Sequence, residues 1–188
     1  FKDCPVTVIP NGLDTEIYKP IDKCVGRELF NLPTEPPLVL FGSVGPLSNE
    51  RKGYDLLRDS LQRLSAEFDT DAELVVFGTQ RPDPDLEFGL PTHYTGYIND
   101  DESLSLLYSA ADVVVVPSRY EGFGQTVTEA MACGTPVAAF DATGPSDIVD
   151  HQETGYLAER YDPTDLAAGV RWSLADEPRR GQRGGAAR

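Results

Sequence analysis

The sequence predicts an α/β domain built on a doubly wound, mostly parallel sheet. Three observations carry that expectation. Short apolar runs recur along the chain, amphipathic stretches with a helical repeat lie between them, and the strongest run, Val113 to Val116, is β-branched throughout. Such a run marks a strand covered on both faces, and strands alternating with helices at this spacing imply parallel βαβ units.

In chain order the strand candidates begin with Val6 to Ile9. Leu38 to Phe41, ending at Gly42, and Leu74 to Phe77, ending at Gly78, come next. Val113 to Val116 and Thr135 to Phe140 follow, and weaker signals lie at Thr92 to Thr95 and Gly155 to Ala158. Between them, Tyr54, Leu57, Leu61 and Leu64 repeat at helical spacing just after Gly53. Asp101 to Ala110 carries Leu104, Leu107 and Tyr108 on one face. Gln125 to Cys133 carries Val127, Ala130 and Met131, and Gly134 closes it. A last helix is expected from Thr164 to Leu174, with Pro163 near its start. These elements predict one Rossmann-like domain over residues 1–176, with ligands beyond the carboxyl ends of its strands. Residues 177–188 lose all periodicity and are expected to form a disordered tail.

Composition narrows the partners. At 188 residues the chain has the size of one domain with a full core. Its formal charge of −15 argues against nucleic acid, whose phosphates need a basic footprint, and against an anionic membrane surface. High-salt adaptation and simple tolerance of acidity both fit that charge. No apolar run approaches the ~20 residues of a membrane helix. Cys4, Cys24 and Cys133 lack metal or disulfide spacing, which predicts reduced cytosolic thiols, with Cys133 buried. The chain starts at Phe1 without an initiator Met, so a longer protein is expected.

The segment richest in chemistry runs from Pro117 to Pro136, through Arg119-Tyr120-Glu121-Gly122-Phe123-Gly124-Gln125-Thr126-Val127-Thr128-Glu129. A buried strand feeds a glycine-containing loop, and a helix follows. Backbone amides of Gly124, Gln125, Thr126 and Val127 at that helix start form an anion site suited to a diphosphate. Glu121 and Glu129 flank it, and ionised carboxylates outboard of a phosphate suit sugar and ribose hydroxyls, which donate hydrogen bonds. From spacing alone, both glutamates serve equally as solvated helix caps.

This segment resembles the signature of glycosyltransferase family 4, the retaining group 1 glycosyltransferases of GT-B fold, including its two glutamates and the following Ala-Met-Ala-Cys-Gly-Thr-Pro-Val. Val8 to Thr15 is similar to the family's loop into its second, C-terminal domain, Arg51 to Leu57 to its Lys-Gly element, and Gly155-Tyr156-Leu157 to a late strand. The resemblance covers about Val6 to Leu174. It implies the donor-binding domain of a hexosyltransferase that uses a nucleotide diphosphate sugar with retention, and needs neither metal nor cofactor. Glu121 would contact the transferred sugar near its reacting carbon, and Glu129 the ribose. Amides from Gly122, Phe123 and onward to Val127 would bind sugar and diphosphate, and Lys52, with Arg51, would neutralise the leaving group. Tyr97 and Ile98 match the base-holding position, with core packing as the alternative. The acceptor would bind mainly on an N-terminal domain absent from this sequence, and the enzyme would be cytoplasmic or peripheral to a membrane, in polysaccharide or glycoconjugate synthesis.

The sequence departs from the family in two places. Asp147 stands where members usually have Glu, and many members carry Gly-Arg after the second strand, whereas this chain reads Gly42-Ser43 and has no arginine until Arg51. Either Arg51 substitutes from a longer loop or that contact is missing. His93 and His151 are isolated and read as structural or exposed, Trp172 as core, and Asp141 to Val149 as the opening of a helix beside the interdomain cleft. A nucleotide- or sugar-phosphate-binding module with no catalytic activity of its own is the competing reading. A dinucleotide oxidoreductase does not fit, because Val127 stands where its glycine motif needs a third glycine.

Overall fold

The computed structural model describes residues 7, 11–42, 49–82 and 86–175. The strand expected over residues 6–9, apart from Thr7, the loop at 43–48 and the tail at 177–188 lie outside the described residues. Among the described residues, six parallel strands form one sheet: β1 (Leu38–Gly42), β2 (Glu73–Phe77), β3 (Thr92–Gly96), β4 (Val113–Val116), β5 (Val137–Phe140) and β6 (Gly155–Ala158). Their order across the sheet is β3-β2-β1-β4-β5-β6. Helices α2 (Tyr54–Glu67), α3 (Asp101–Ala110), α4 (Gln125–Ala132) and α5 (Pro163–Leu174) cover it, and α1 (Lys23–Leu29) packs on α3.

Period-two alternation divides the core into two layers. Val39, Phe41, Leu74, Val76, Val113, Val115, Ala138 and Phe140 face α2 and α5. Leu38, Leu40, Val75, Phe77, Val114, Val116, Val137 and Ala139 face Leu107 and Tyr108 of α3 and Val127, Ala130 and Met131 of α4. Both faces are therefore dry, which is why these strands read as continuous apolar runs. Strand order reverses between β1 and β4, so the connections leaving their carboxyl ends diverge to opposite faces and open a crevice.

Most element boundaries match the sequence pattern. Gly134, at φ 83°, ends α4 with its amide on the Met131 carbonyl and the Thr135 amide on that of Ala130, a Schellman closure. Thr135 and Pro136 are consumed in this turn, so β5 starts later than expected. The helix expected after Asp141 is a single 3₁₀ turn, Gly144–Asp147. Trp172 is half-buried instead of core, its ring 5.9 Å from that of Tyr156. His93 pairs with Glu73 at 2.5 Å, and exposed His151 accepts a hydrogen bond from the Leu157 amide. Cys133 is buried, with its thiol pushed up by desolvation, and Cys24 is an exposed free thiol. Among the described residues no helix is long and apolar enough to cross a membrane.

Helix α1 was not foreseen. Its buried positions are Gly26 and Arg27, while Val25 and Leu29 are exposed, so its pattern inverts the one that signals a helix. Arg27 is 2% exposed and donates to the carbonyls of Ala110, Pro33, Thr34 and Pro36. It also pairs with Asp112 at 2.7 Å, whose same oxygen accepts the Leu38 amide at 2.8 Å. This charged node fastens α1 and the chain entering β1 to the α3–β4 junction. Arg27→Met should lower unfolding free energy by ~3–5 kcal/mol, because it removes the buried partner of the Asp112 carboxylate and the donor to four carbonyls, leaving Asp112 the more exposed Lys23 at 3.5 Å and the Leu38 amide. Arg27→Lys should recover only part, because an ammonium cannot reproduce the planar fork. Urea unfolding of the three proteins measures both effects.

Candidate functional site

The crevice at the carboxyl ends of β1 and β4 is walled by two connections. One enters α2 through a 3₁₀ turn, Glu50–Lys52, and Gly53. Gly53 adopts φ 65°, and a β-carbon there would lie 1.8 Å from the Pro117 carbonyl oxygen. Only glycine permits both the left-handed turn and this approach of the two connections. The second connection leaves β4 at Pro117 and reaches α4 through Gly124, at φ 92°.

Their meeting brings Lys52 to Glu121, with Nζ 3.2 Å from Oε2 and side chains 18% and 17% exposed. Exposed Arg51 turns its guanidinium toward the Tyr120 carbonyl at 3.5 Å, too long for a firm bond. The Glu121 backbone is held on both sides. Its amide donates to Thr143 Oγ1, and its carbonyl accepts the Gly144 amide, each at 3.0 Å. Thr143 has φ 54°, an unfavourable backbone conformation for a β-branched residue that costs ~1–3 kcal/mol and persists where surrounding contacts impose it. Thr143 and Gly144 thus set Glu121, a role that the sequence hinted at only through a Thr-Gly-Pro segment after a strand.

Helix α4 starts without a side-chain cap. The Val127 amide donates to the Gly124 carbonyl at 2.9 Å, so the anion-facing start narrows to Gly124, Gln125 and Thr126. The Val127 side chain lies wholly in the core. Gly122 is exposed, Phe123 half-buried and Gln125 exposed. Glu129 is 5% exposed and accepts the Tyr108 hydroxyl at 2.8 Å, which places it far deeper than a surface cap. Burial pushes the Glu129 carboxyl above the usual carboxylate range against hydrogen bonds from Tyr108 and Gln125. The neighbouring Tyr108 hydroxyl is pushed up mainly by desolvation and then by Glu129 itself. Tyr18, bonded to Asp101 at 3.0 Å, completes the cluster. Sequence reasoning missed both partners, because Tyr108 read as part of its helix's apolar face and Tyr18 carried no signal. At the end of β3, Tyr97 is exposed at 55% and Ile98 is half-buried against the core.

A parallel sheet of this order, with helices on both faces and a cation and a carboxylate meeting at its strand-order reversal, is a Rossmann-like domain. The family model for glycosyl transferases group 1 matches residues 27–188, and the chain belongs to that family. It is 33% identical to a D-inositol 3-phosphate glycosyltransferase of Xylanimonas cellulosilytica, over 97% of this chain and 46% of that protein. A second, from Catenulispora acidiphila, is 36% identical over 93% of this chain and 44% of its own length. The chain thus spans under half the length of these relatives. Among solved structures, sucrose-phosphate synthase of Thermosynechococcus elongatus superposes with TM-score 0.77 at 33% identity, covering 95% of this chain and 46% of that one. The C-terminal domain of a group 1 glycosyl transferase from Francisella tularensis shares the fold at TM-score 0.72 and 23% identity, with 94% of both chains covered. Anabaena HepE, solved with UDP-glucose, shares it at 0.77 and 23%, over 96% of this chain and 51% of its own.

The buried Glu129 has a pH signature. A carboxyl with a raised folded pKa leaves the native state holding more protons than the unfolded chain, so stability falls as pH rises through that window. Glu129→Gln keeps an acceptor for Tyr108 and removes the desolvated charge. The variant should be more stable than wild type at pH 7, and the advantage should vanish as pH falls to about 4. Thermal unfolding across pH measures it.

Proposed function

We propose that this domain binds a nucleotide diphosphate sugar in the β1–β4 crevice and supplies the donor half of a hexosyl transfer that retains anomeric configuration. The observation that carries this reading is the Lys52–Glu121 pair at the strand-order reversal. On donor binding, Lys52 moves its charge from Glu121 to the diphosphate and neutralises the leaving group. Glu121, released from its partner, accepts a hydrogen bond from the sugar beside the carbon where positive charge develops. Gly124, Gln125 and Thr126 offer amides to the diphosphate, Glu129 accepts from the ribose, and Tyr97 and Ile98 border the base. Arg51, already turned across the crevice, stands in for the family arginine that this sequence lacks. HepE was solved with UDP-glucose, which makes a UDP-sugar the first donor to try.

Lys52 delivers the counter-charge in place of a divalent ion, so transfer is metal-independent. The acceptor is brought by the other domain of the full-length enzyme, which acts in the cytoplasm on a polysaccharide or glycoconjugate, in solution or at a membrane surface. This chain alone binds donor and does not turn it over. Calorimetry against UDP-, GDP- and ADP-sugars, with and without chelator, tests the donor and metal assignments together. No binding of any of them, or binding abolished by chelator, would contradict the reading.

The charged pair yields two separable outcomes. Lys52→Ala should weaken nucleoside diphosphate binding by ~1.5–3 kcal/mol, the range of a lost charge-assisted contact. Glu121→Ala frees Lys52 from its partner, so it should not weaken binding of the free diphosphate and should weaken only the intact sugar nucleotide, by ~1–3 kcal/mol. Titration of both variants with both ligands distinguishes these roles from those of two surface charges, which would be ligand-blind.

A further inference from the structure

Lys52 reaches the crevice from a three-residue 3₁₀ turn that belongs to no strand and to no long helix. Sheet hydrogen bonds therefore leave its distance from Glu121 undetermined. Arg119, two residues before Glu121, fixes that distance. Its guanidinium grips Asp55 in a bidentate pair, Nη1 to Oδ1 at 2.7 Å and Nη2 to Oδ2 at 2.5 Å. The same Nη1 donates to the Glu50 carbonyl at 2.8 Å. Its backbone amide donates to the Arg51 carbonyl at 2.9 Å, and its own carbonyl accepts the Tyr161 hydroxyl at 2.8 Å. Glu50, Arg51 and Asp55 bracket Lys52 and Gly53, so one residue of the β4 connection clasps the whole segment that carries the cation.

Stability does not account for this arrangement. The two side chains are 34% and 53% exposed, and ion pairs so open to water contribute little to folding. Geometry is what a bidentate arginine supplies, because its planar fork admits one orientation of the carboxylate. The clasp also leaves the guanidinium occupied by protein atoms, facing Asp55 and Glu50 instead of the Lys52–Glu121 gap.

We propose that Arg119 is a positioning residue for donor binding, acting through Lys52 by bracing the Glu50–Asp55 segment against the loop that carries Glu121. The proposal rests on the donor reading of the crevice. It is tested by calorimetric titration of this chain with UDP, GDP and ADP, in wild type, Arg119→Ala, Arg119→Lys, Lys52→Ala and the Arg119→Ala/Lys52→Ala double variant, each with its thermal midpoint measured. Arg119→Ala should weaken the nucleotide that wild type binds about 10-fold, since small misplacement of a binding group is costly. Its midpoint should stay close to that of wild type. Arg119→Lys, which keeps the charge and loses the fork, should restore only part of the affinity. On the Lys52→Ala background, Arg119→Ala should change affinity less than about 2-fold, because residues that act through one another are not additive. Asp55→Ala opens the clasp from its other side and should reproduce the loss, which keeps the test open if Arg119→Ala does not fold.

A full additive loss in the double variant would overturn the proposal, because Arg119 would then touch the ligand itself. Unchanged affinity in Arg119→Ala beside a weakened Lys52→Ala would overturn it alone. Unchanged affinity in Lys52→Ala would overturn the donor reading, and the proposal with it.

Discussion

Burial of both faces of the sheet is the constraint from which the rest of this domain follows. Val39, Val113 and Ala138 look toward one helical layer, while Leu40, Val114 and Val137 look toward the other, and none is exposed. A parallel sheet can be dried on two faces only if its crossovers run over both, so strand order must reverse somewhere. Here it reverses between β1 and β4. The connections that leave those strands part company and leave a crevice without a covering helix.

An acidic protein that binds an anion must gather its few cations. With 31 acids against 16 bases, the bulk field of this chain is unfavourable to a diphosphate. The crevice gathers Lys52, Arg51 and the amides at the start of α4, a local exception to that field. The Lys52 ammonium is paired with Glu121 at 3.2 Å, which leaves this part of the crevice near neutral. Glu129 illustrates the opposite economy. Its carboxylate is desolvated beneath Tyr108, which disfavours its charge and costs stability, yet an ionised buried acceptor discriminates strongly in favour of a hydroxyl donor.

The loops that form the site are held more tightly than their irregular backbone suggests. Thr143 keeps an unfavourable φ to offer its hydroxyl to the Glu121 amide, and Gly53 closes to contact with Pro117. Arg119 ties three segments that are separate in sequence, through Asp55, the Arg51 carbonyl and Tyr161. A loop with so many bonds to other segments behaves as an extension of the scaffold, which suits a site whose charges must be aligned before the ligand arrives.

Much of this was written locally. Val113–Val116 declared a two-faced strand, and Gly134 declared the end of α4, because alternation, branching and left-handed turns are properties of adjacent residues. The glycines before the α4 start likewise marked a turn from strand into helix, because the left-handed backbone of Gly124 is a local property. The edge strand β3 gave a weaker signal, since its residues are only half covered and mix Thr, His and Tyr. Helix α1 gave none, because it buries a glycine and an arginine. What the tertiary structure alone decided is which distant groups meet. Lys52 and Glu121 are 69 positions apart, Asp55 and Arg119 64, and Arg27 and Asp112 85. A sequence sets the type and local spacing of charges, but pairing depends on where the crossovers bring separate connections together, and no local pattern encodes that distance.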